Sequence, residues 1–309
     1  MDEPVAAMDG LKREVEALSG VIPPGAEITY LDYPVTNNIG DVLIMLGADE
    51  FFRANRNRIA VCGTADNGLR RLRATPRGQL IVLHGGGNLG DLYLGHERFR
   101  RAVISARHDN PIVILPQTIH FRDPAELRAS AAIYRAHPNL VLCVRDRASE
   151  RIAREHLCDR VVLAPDMAHT LWPVPCANPG SGDLLLLRTD AEASSGASAA
   201  GIDWNAVLSA PTKAGIHVMN ALHRLDGRVP TGLPLYRMYR VLARRVMAEA
   251  VAFFSPYAQV TTSRLHAHIL ACLMAKPVLL HDNSYGKNRS YFEAWTSRLA
   301  QVKLTAHSG

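Results

Sequence analysis

Lysine is scarce in this chain: five of its 35 basic residues are Lys and the rest are Arg. The arginines are scattered, 29 acids nearly balance them, and no run of five like charges occurs. The net charge of +6 is therefore no footprint of nucleic-acid binding, which needs basic residues clustered on one surface. Cysteine is also sparse. The five (Cys62, Cys143, Cys158, Cys176, Cys272) lie far apart with no C-x-x-C pair, which argues against a zinc site and a secreted disulfide framework. No stretch approaches the ~20 apolar residues that span a bilayer. The opening MDEPVAAMDGLKREVEAL puts acids first and has no apolar core, unlike a signal peptide. These absences predict a soluble, cytoplasmic protein without a metal, and the excess positive charge is compatible with peripheral contact at the inner membrane face.

What is present is ordinary globular material, 48% hydrophobic and 21% charged, in a length that suits two domains. A helix over about 9–19 ends before Pro23-Pro24-Gly25. β-rich runs follow at 27–33, 58–62, 80–84, 111–115, 140–144 and 160–163. Helix-like segments lie between most of them, at 41–54, 66–74, 91–107, 124–136 and 147–156. Apolar strands alternating with helices predict a doubly wound parallel sheet over residues 1–172. WPVPCANPGSGD reads as a linker (173–183). A smaller α/β unit, 184–309, follows it. Its strands are expected at 184–188, 251–254 and 277–281, its helices at 204–209, 211–223, 234–250 and 265–275, and a Ser/Ala/Gly-rich loop at 191–201. Two such units face each other across a cleft lined by the carboxyl ends of their strands.

IVLHGGGNLGD (81–91) satisfies G-x-G-x-x-G at Gly85, Gly87 and Gly90. A dinucleotide site also needs an acid at the end of the next strand. That strand instead ends Leu115-Pro116-Gln117-Thr118. The esterase reading of His-Gly-Gly-Gly needs a G-x-S-x-G elbow, and the nearest match, Gly196 to Ala200, ends in Ala. What remains is a tight turn in which Gly85, Gly86 and Gly87 let backbone approach a ligand, beside a helix start that favours negative charge.

TTSRLHAHILACLMAKP (261–277) offers a second anion-friendly corner. Thr262 or Ser263 suits an N-cap, and Arg264 and His266 fall in the first helical turn. His266 and His268 project about 200° apart, so only one can face a cleft. Arg145-Asp146 and Arg188 each follow a buried strand. Either Arg fits an anion clamp, and either equally fits an ordinary surface ion pair. Asn38, Gly40 and Asp41 open a helix after the first strand, and Lys287 lies in the polar loop HDNSYGKN.

Together these segments resemble a known family. N-N-x-G-D (37–41), H-G-G-G-N-x-G-D (84–91), P-Q-T-I (116–119), R-D (145–146), A-P-D-M-A (164–168) and S-R-L-H-x-H (263–268) occur here in the order found in the polysaccharide pyruvyl transferases. Asn283-Ser284-Tyr285 with Lys287-Asn288 is similar to that family's C-terminal loop. The resemblance spans about 30–290. It implies a fold similar to the GT-B glycosyltransferases. It also implies transfer of the enolpyruvyl carbons of phosphoenolpyruvate onto two sugar hydroxyls as a cyclic ketal, with a lipid-linked glycan as acceptor and no cofactor. It further implies that Arg145, Arg264, Leu265 and His266 serve the donor. Arg188 and Lys287 join them on physical grounds alone, as cations suited to a carboxylate and a phosphate.

Ketal formation needs a proton for the methylene carbon and a base for the incoming hydroxyls. His266 is the candidate acid/base. Asp41 and Asp91 either assist it or simply cap helices. His84, Asn88 and Gln117 are candidate polar contacts along the glycine loop. A nucleotide-sugar glycosyltransferase would use the same cleft and clamps. It would also want an acid to grip a ribose in the second unit, where only Glu293 follows position 263 among glutamates.

Overall fold

The computed structural model describes residues 3–176, 180–187, 204–282 and 286–305. The chain opens with α1 (Glu3–Glu16) and then builds an all-parallel sheet of seven strands. These are β1 (Glu27–Leu31), β2 (Arg58–Gly63), β3 (Leu80–Leu83), β4 (Gly86–Gly90), β5 (Ile112–His120), β6 (Leu140–Val144) and β7 (Val161–Leu163). Their order is β2-β1-β3-β5-β6-β7, with β4 on the far half of β5. The crossovers are α2 (Ile39–Ala54), α3 (Gly68–Arg71), α4 (Leu94–Ala106), α5 (Pro124–Ala136) and α6 (Arg147–Ile152). β3 (LIVL) and β6 (LVLCV) are buried at every position, as strands covered on both faces must be.

A second parallel sheet, ordered β11-β10-β9-β8, contains β8 (Asp183–Leu186), β9 (Gln259–Thr262), β10 (Val278–Leu280) and β11 (Val302–Leu304). Around it lie α7 (Ala210–Arg228), α8 (Leu235–Phe254), α9 (Leu265–Leu273) and α10 (Lys287–Ala294). One buried cluster joins Met8 of α1, Ile44 of α2, Tyr239 of α8, Ile269 of α9 and Leu280 of β10. A second cluster, including Leu83, Phe99 and Leu142, fills the opposite face of the first sheet.

Two expectations fail. The strand sought at 251–254 is the last turn of α8, and the strand is β9, at 259–262. Val251 to Phe254 continue an Ala- and Arg-rich helical stripe, whereas the β-branched Val260, Thr261 and Thr262 suit a strand. The glycine segment is not a turn cradling a helix start. Gly86 to Gly90 form β4, whose Gly86, Leu89 and Gly90 pair with Gln117, Ile119 and His120. β5 outruns β3, so its exposed edge needs a partner, and only glycine allows so close an approach: a β-carbon on Gly90 (φ 122°) would meet the His120 carbonyl. Residues 177–179 of the expected linker, the loop at 191–201, Arg188 and Asn283-Ser284-Tyr285 lie outside the described residues.

Candidate active site

The carboxyl ends of β1, β3 and β6 and the start of α2 meet the starts of α9 and α10 around a cavity of about 480 Å³. Switch-point geometry of this kind places ligands beyond the carboxyl edges of parallel strands. Arg145, Arg264, Lys287, His96 and His266 line it, with Asp32 and Asp41.

Asp166, just past β7, organises one wall. Its carboxylate pairs with the buried guanidinium of Arg145 and accepts from His266 Nε2 at 3.2 Å. Burial alone would raise this carboxyl, but His266 and Arg145 outweigh it and hold the group well below the usual carboxylate range. With Nε2 engaged, Nδ1 is the other nitrogen of a ring that lines the cavity. The ring rests on Gly40, where a β-carbon would stand 2.4 Å from Nδ1; the N-N-x-G-D glycine is thus required by the histidine above it. Arg145 is no surface pair with Asp146. Asp146 instead caps α6 through the Ser149 amide and accepts from Thr118. Arg145 NH2 is buried without a hydrogen-bond partner among the described residues. A β-carbon on Gly87 would stand 2.9 Å from it and 2.8 Å from Lys287 Nζ.

Asp32 organises the opposite wall. It sits just past β1 with φ 64°, in the left-handed region that Asp tolerates better than most residues. His96 Nδ1 lies 2.8 Å from Asp32 Oδ1, and buried Arg100 lies 3.3 Å from Oδ2. The hydrogen bond to Asp32 raises the His96 pKa against the opposing effect of burial. The cavity therefore holds two His–Asp pairs, one per wall, anchored through opposite ring nitrogens.

The remaining expected residues divide plainly. Asn38 caps α2 through the Gly40 amide at 3.1 Å and donates to Asp41 at 2.8 Å. Burial raises the Asp41 carboxyl against the pull of His266, Lys287, His96 and Arg145. His84 lines the cavity, its Nδ1 2.6 Å from Tyr30 Oη and its Nε2 without a partner among the described residues. Burial pushes its pKa down to about 3, so it is neutral at physiological pH. Asn88 lines the cavity while its side chain is held by Arg100. Gln117 stands behind the wall and donates to the His84 carbonyl at 2.8 Å.

Asp91 is not in the cavity lining. It accepts from the Arg122 and Asp123 amides at 2.7 and 2.6 Å and so ties β4 to the loop after β5. His268 is also turned away, buried against Thr296 at 3.0 Å. The cap of α9 is Arg264 itself, because Thr262 Oγ1 accepts the Arg264 amide at 3.0 Å one step before the helix. Asp32, His96 and Asp166 escape a reading of the sequence. An acid at the end of the first strand was a usable signal for Asp32. His96 gives none, because only the packing of α4 brings it back to the sheet edge.

A model of the polysaccharide pyruvyl transferase family matches residues 38–285. The chain belongs to the polysaccharide pyruvyl transferases. Among the relatives of this transferase, the Bacillus subtilis protein EpsO, which carries a pyruvyl transferase name, is 37% identical over 308 residues, covering 98% of this chain and 95% of that one. Pyruvyl transferase 1 of Schizosaccharomyces pombe is 27% identical, over 87% of this chain and 69% of its own. A crystal structure of a functionally uncharacterised Klebsiella pneumoniae protein shares the fold at a TM-score of 0.65 and 21% identity, covering 96% of this chain and 98% of that one. Among the described residues no cluster of His, Cys, Asp and Glu is placed to hold a metal ion, and no helix is long and apolar enough to cross a membrane.

Proposed function

We propose that this transferase takes the enolpyruvyl group from phosphoenolpyruvate and joins it to two hydroxyls of a lipid-linked exopolysaccharide intermediate as a pyruvate ketal, at the inner membrane face. One observation carries this reading: Arg145, Arg264 and Lys287 converge with His96 and His266 on a single cavity of about 480 Å³. A donor with a carboxylate and a phosphate needs two cationic clamps. Bidentate arginines suit both groups, and a lysine suits the phosphate. Two parallel sheets presenting strand ends to a common cavity support a GT-B-like description of the architecture.

In this scheme the methylene carbon of the donor gains a proton and C2 becomes electrophilic. One acceptor hydroxyl oxygen bonds to C2. The C2–O bond to phosphate then breaks, and the second hydroxyl oxygen closes the ketal. Of the two hydroxyl protons, one balances the proton gained by the new methyl group and the other leaves with phosphate. His266, on the donor wall, acts as one acid/base. His96, which Asp32 biases towards its protonated form, acts as the other, and the raised Asp41 carboxyl receives or orients a hydroxyl.

The test is incubation with phosphoenolpyruvate and candidate acceptors, following phosphate release and a gain on the sugar of one pyruvic acid less one water. His266→Ala is expected to abolish turnover with the fold retained. Transfer from a nucleotide sugar, with none from phosphoenolpyruvate, would overturn the reading.

A further inference from the structure

We propose that the outer face of the α7–α8 hairpin docks on an anionic lipid surface beside the mouth of the cavity. The first observation is charge. Residues 210–254, the hairpin itself, hold seven Lys and Arg against two acids, Asp226 and Glu249, a net of +5 within a whole-chain net of +6. The remainder of the chain is therefore close to balanced. Asp226 is buried under Arg70 and Arg71, so it does not offset the outer face. Arg224, Arg240 and Arg245 have acids near them, in Asp66, Asp49 and Glu249. Among the described residues no ion pair holds Arg228, Arg237 or Arg244.

The second observation is apolar exposure. Of ten large hydrophobic side chains standing exposed among the described residues, six lie on this hairpin: Val218, Leu225, Val229, Leu233, Met238 and Val241. Val241 is 73% exposed and Val218 and Val229 59% each. Helical spacing sets Val218 and Leu225 along one stripe of α7, and Val229 follows directly after its last turn. The same spacing sets Met238 and Val241 along one stripe of α8, with arginines interleaved. The inner stripes, such as Ile216 and Met219 on α7 and Tyr239 and Val246 on α8, are already buried, so the outer residues are surplus to the core. A polar, basic face with aliphatic side chains between the charges fits the interfacial layer of an acidic bilayer. A second copy would set arginines against arginines. Single-stranded nucleic acid would want stacking aromatics, and this face exposes none.

The third observation is position. Leu31 pairs with Gly63 in the sheet register, so the loop after β2 lies at the same carboxyl edge as Asp32. That loop holds the end of α7 through Asn67 Nδ2, 2.9 Å from Asp226. Tyr239 of α8 accepts from the Thr36 amide at 3.4 Å, and Pro34, Val35 and Thr36 line the cavity. The hairpin thus backs the lip of the cavity, where a bilayer would present the head of a lipid-linked acceptor. The purpose assigned to the surface rests on the acceptor proposed above, but the surface is tested without donor or acceptor.

The experiment is vesicle co-flotation of the full chain. Binding is expected to vesicles containing roughly one-third phosphatidylglycerol in phosphatidylcholine, with little to pure phosphatidylcholine and loss in about 0.5 M salt. Each of Arg237→Gln and Arg244→Gln should weaken binding about five-fold, and Val241→Asp should weaken it comparably or more. All three should leave turnover of a soluble acceptor unchanged. Failure of the wild type to bind acidic vesicles would overturn the proposal, as would wild-type binding by the double arginine variant. Light scattering that shows a dimer dissolved by Val241→Asp would also overturn it, giving the face to a second copy. Vesicle binding without any activity on phosphoenolpyruvate would leave the surface standing and sink the donor assignment instead.

Discussion

Asp32→Asn is the perturbation that most directly tests the second His–Asp pair. Asp32 carries three demands at once: a left-handed backbone (φ 64°), a hydrogen bond with His96 at 2.8 Å and an ion pair with Arg100 at 3.3 Å. Asparagine keeps the shape and tolerates the backbone, so only the charge is lost. Breaking a buried ion pair costs about 3–5 kcal/mol. Arg100 still holds the Asn88 carbonyl at 3.0 Å, which puts the expected loss near the lower end, about 3 kcal/mol. Asp32→Ala should cost roughly 1 kcal/mol more, because alanine meets the full left-handed penalty.

The pH dependence has a definite sign. In the wild type Asp32 raises the folded-state pKa of His96. The stability this contributes is complete below the unfolded value of about 6.5 and disappears as pH rises through the raised folded value. If protonated His96 is a working acid, activity has an alkaline limb set by that same raised value. Asp32→Asn should move the limb to lower pH and flatten the stability change across the same window. Urea melts at several pH values and pH–rate profiles of kcat/KM measure both. A cost below about 1 kcal/mol would refute the buried-pair argument, and an unmoved alkaline limb would remove His96 from the proton transfers.

Gly87→Ala would push a methyl towards Arg145 NH2 and Lys287 Nζ, at 2.9 and 2.8 Å. It should raise the KM for phosphoenolpyruvate about ten-fold or more with a small effect on melting; unchanged donor affinity would take those cations out of the clamp. Tyr30→Phe removes the partner of His84 Nδ1 at 2.6 Å and should cost about 1–3 kcal/mol by leaving a buried nitrogen unpaired, read by chemical denaturation. Burial holds His84, His169 and His268 at about 3, 4 and 3, so the unfolded chain binds protons there that the folded chain does not. Stability should therefore fall by roughly 4 kcal/mol per pH unit as pH drops below about 6.5, and a flat profile between pH 6.5 and 4.5 would contradict their buried, neutral state.

The first sheet was legible because its strands are buried on both faces, and runs such as LVLCV state that directly. The cationic side of the cavity was legible too, since Arg145, Arg264, His266 and Lys287 follow strands or open helices. The strand misplaced at 251–254 shows the limit. Val251 to Phe254 are apolar in either structure, and only the length of α8 decides between them. The glycine segment was legible only in part: glycine signals close approach but not the partner, which is β5 at Gly86 and Gly90 and the cations of the cavity at Gly87. His96 was hidden because its role depends on the distance between α4 and Asp32, 64 positions apart in sequence. Asp166 stood in plain view within A-P-D-M-A, but nothing local says that it grips Arg145, just past β6, and His266 of α9.

The unmet hydrogen bonds of the cavity argue for the kind of ligand it takes. A buried donor left unpaired costs about 1–3 kcal/mol, and His84 Nε2 and Arg145 NH2, on residues of its wall, have no partner among the described residues. His84 is neutral; in the tautomer where Nδ1 accepts from Tyr30 Oη, its Nε2 carries the hydrogen and is an uncharged donor. The guanidinium of Arg145 carries N–H donors and no acceptor, so NH2 can only donate. Asp41, with its raised carboxyl, and the Asp32–His96 pair instead suit hydroxyls that must surrender protons. The site therefore offers its unpaired donors to an anion and its proton carriers to a hydroxylic partner. That division matches a small dianionic donor meeting a sugar, whose anionic oxygens would accept from both donors.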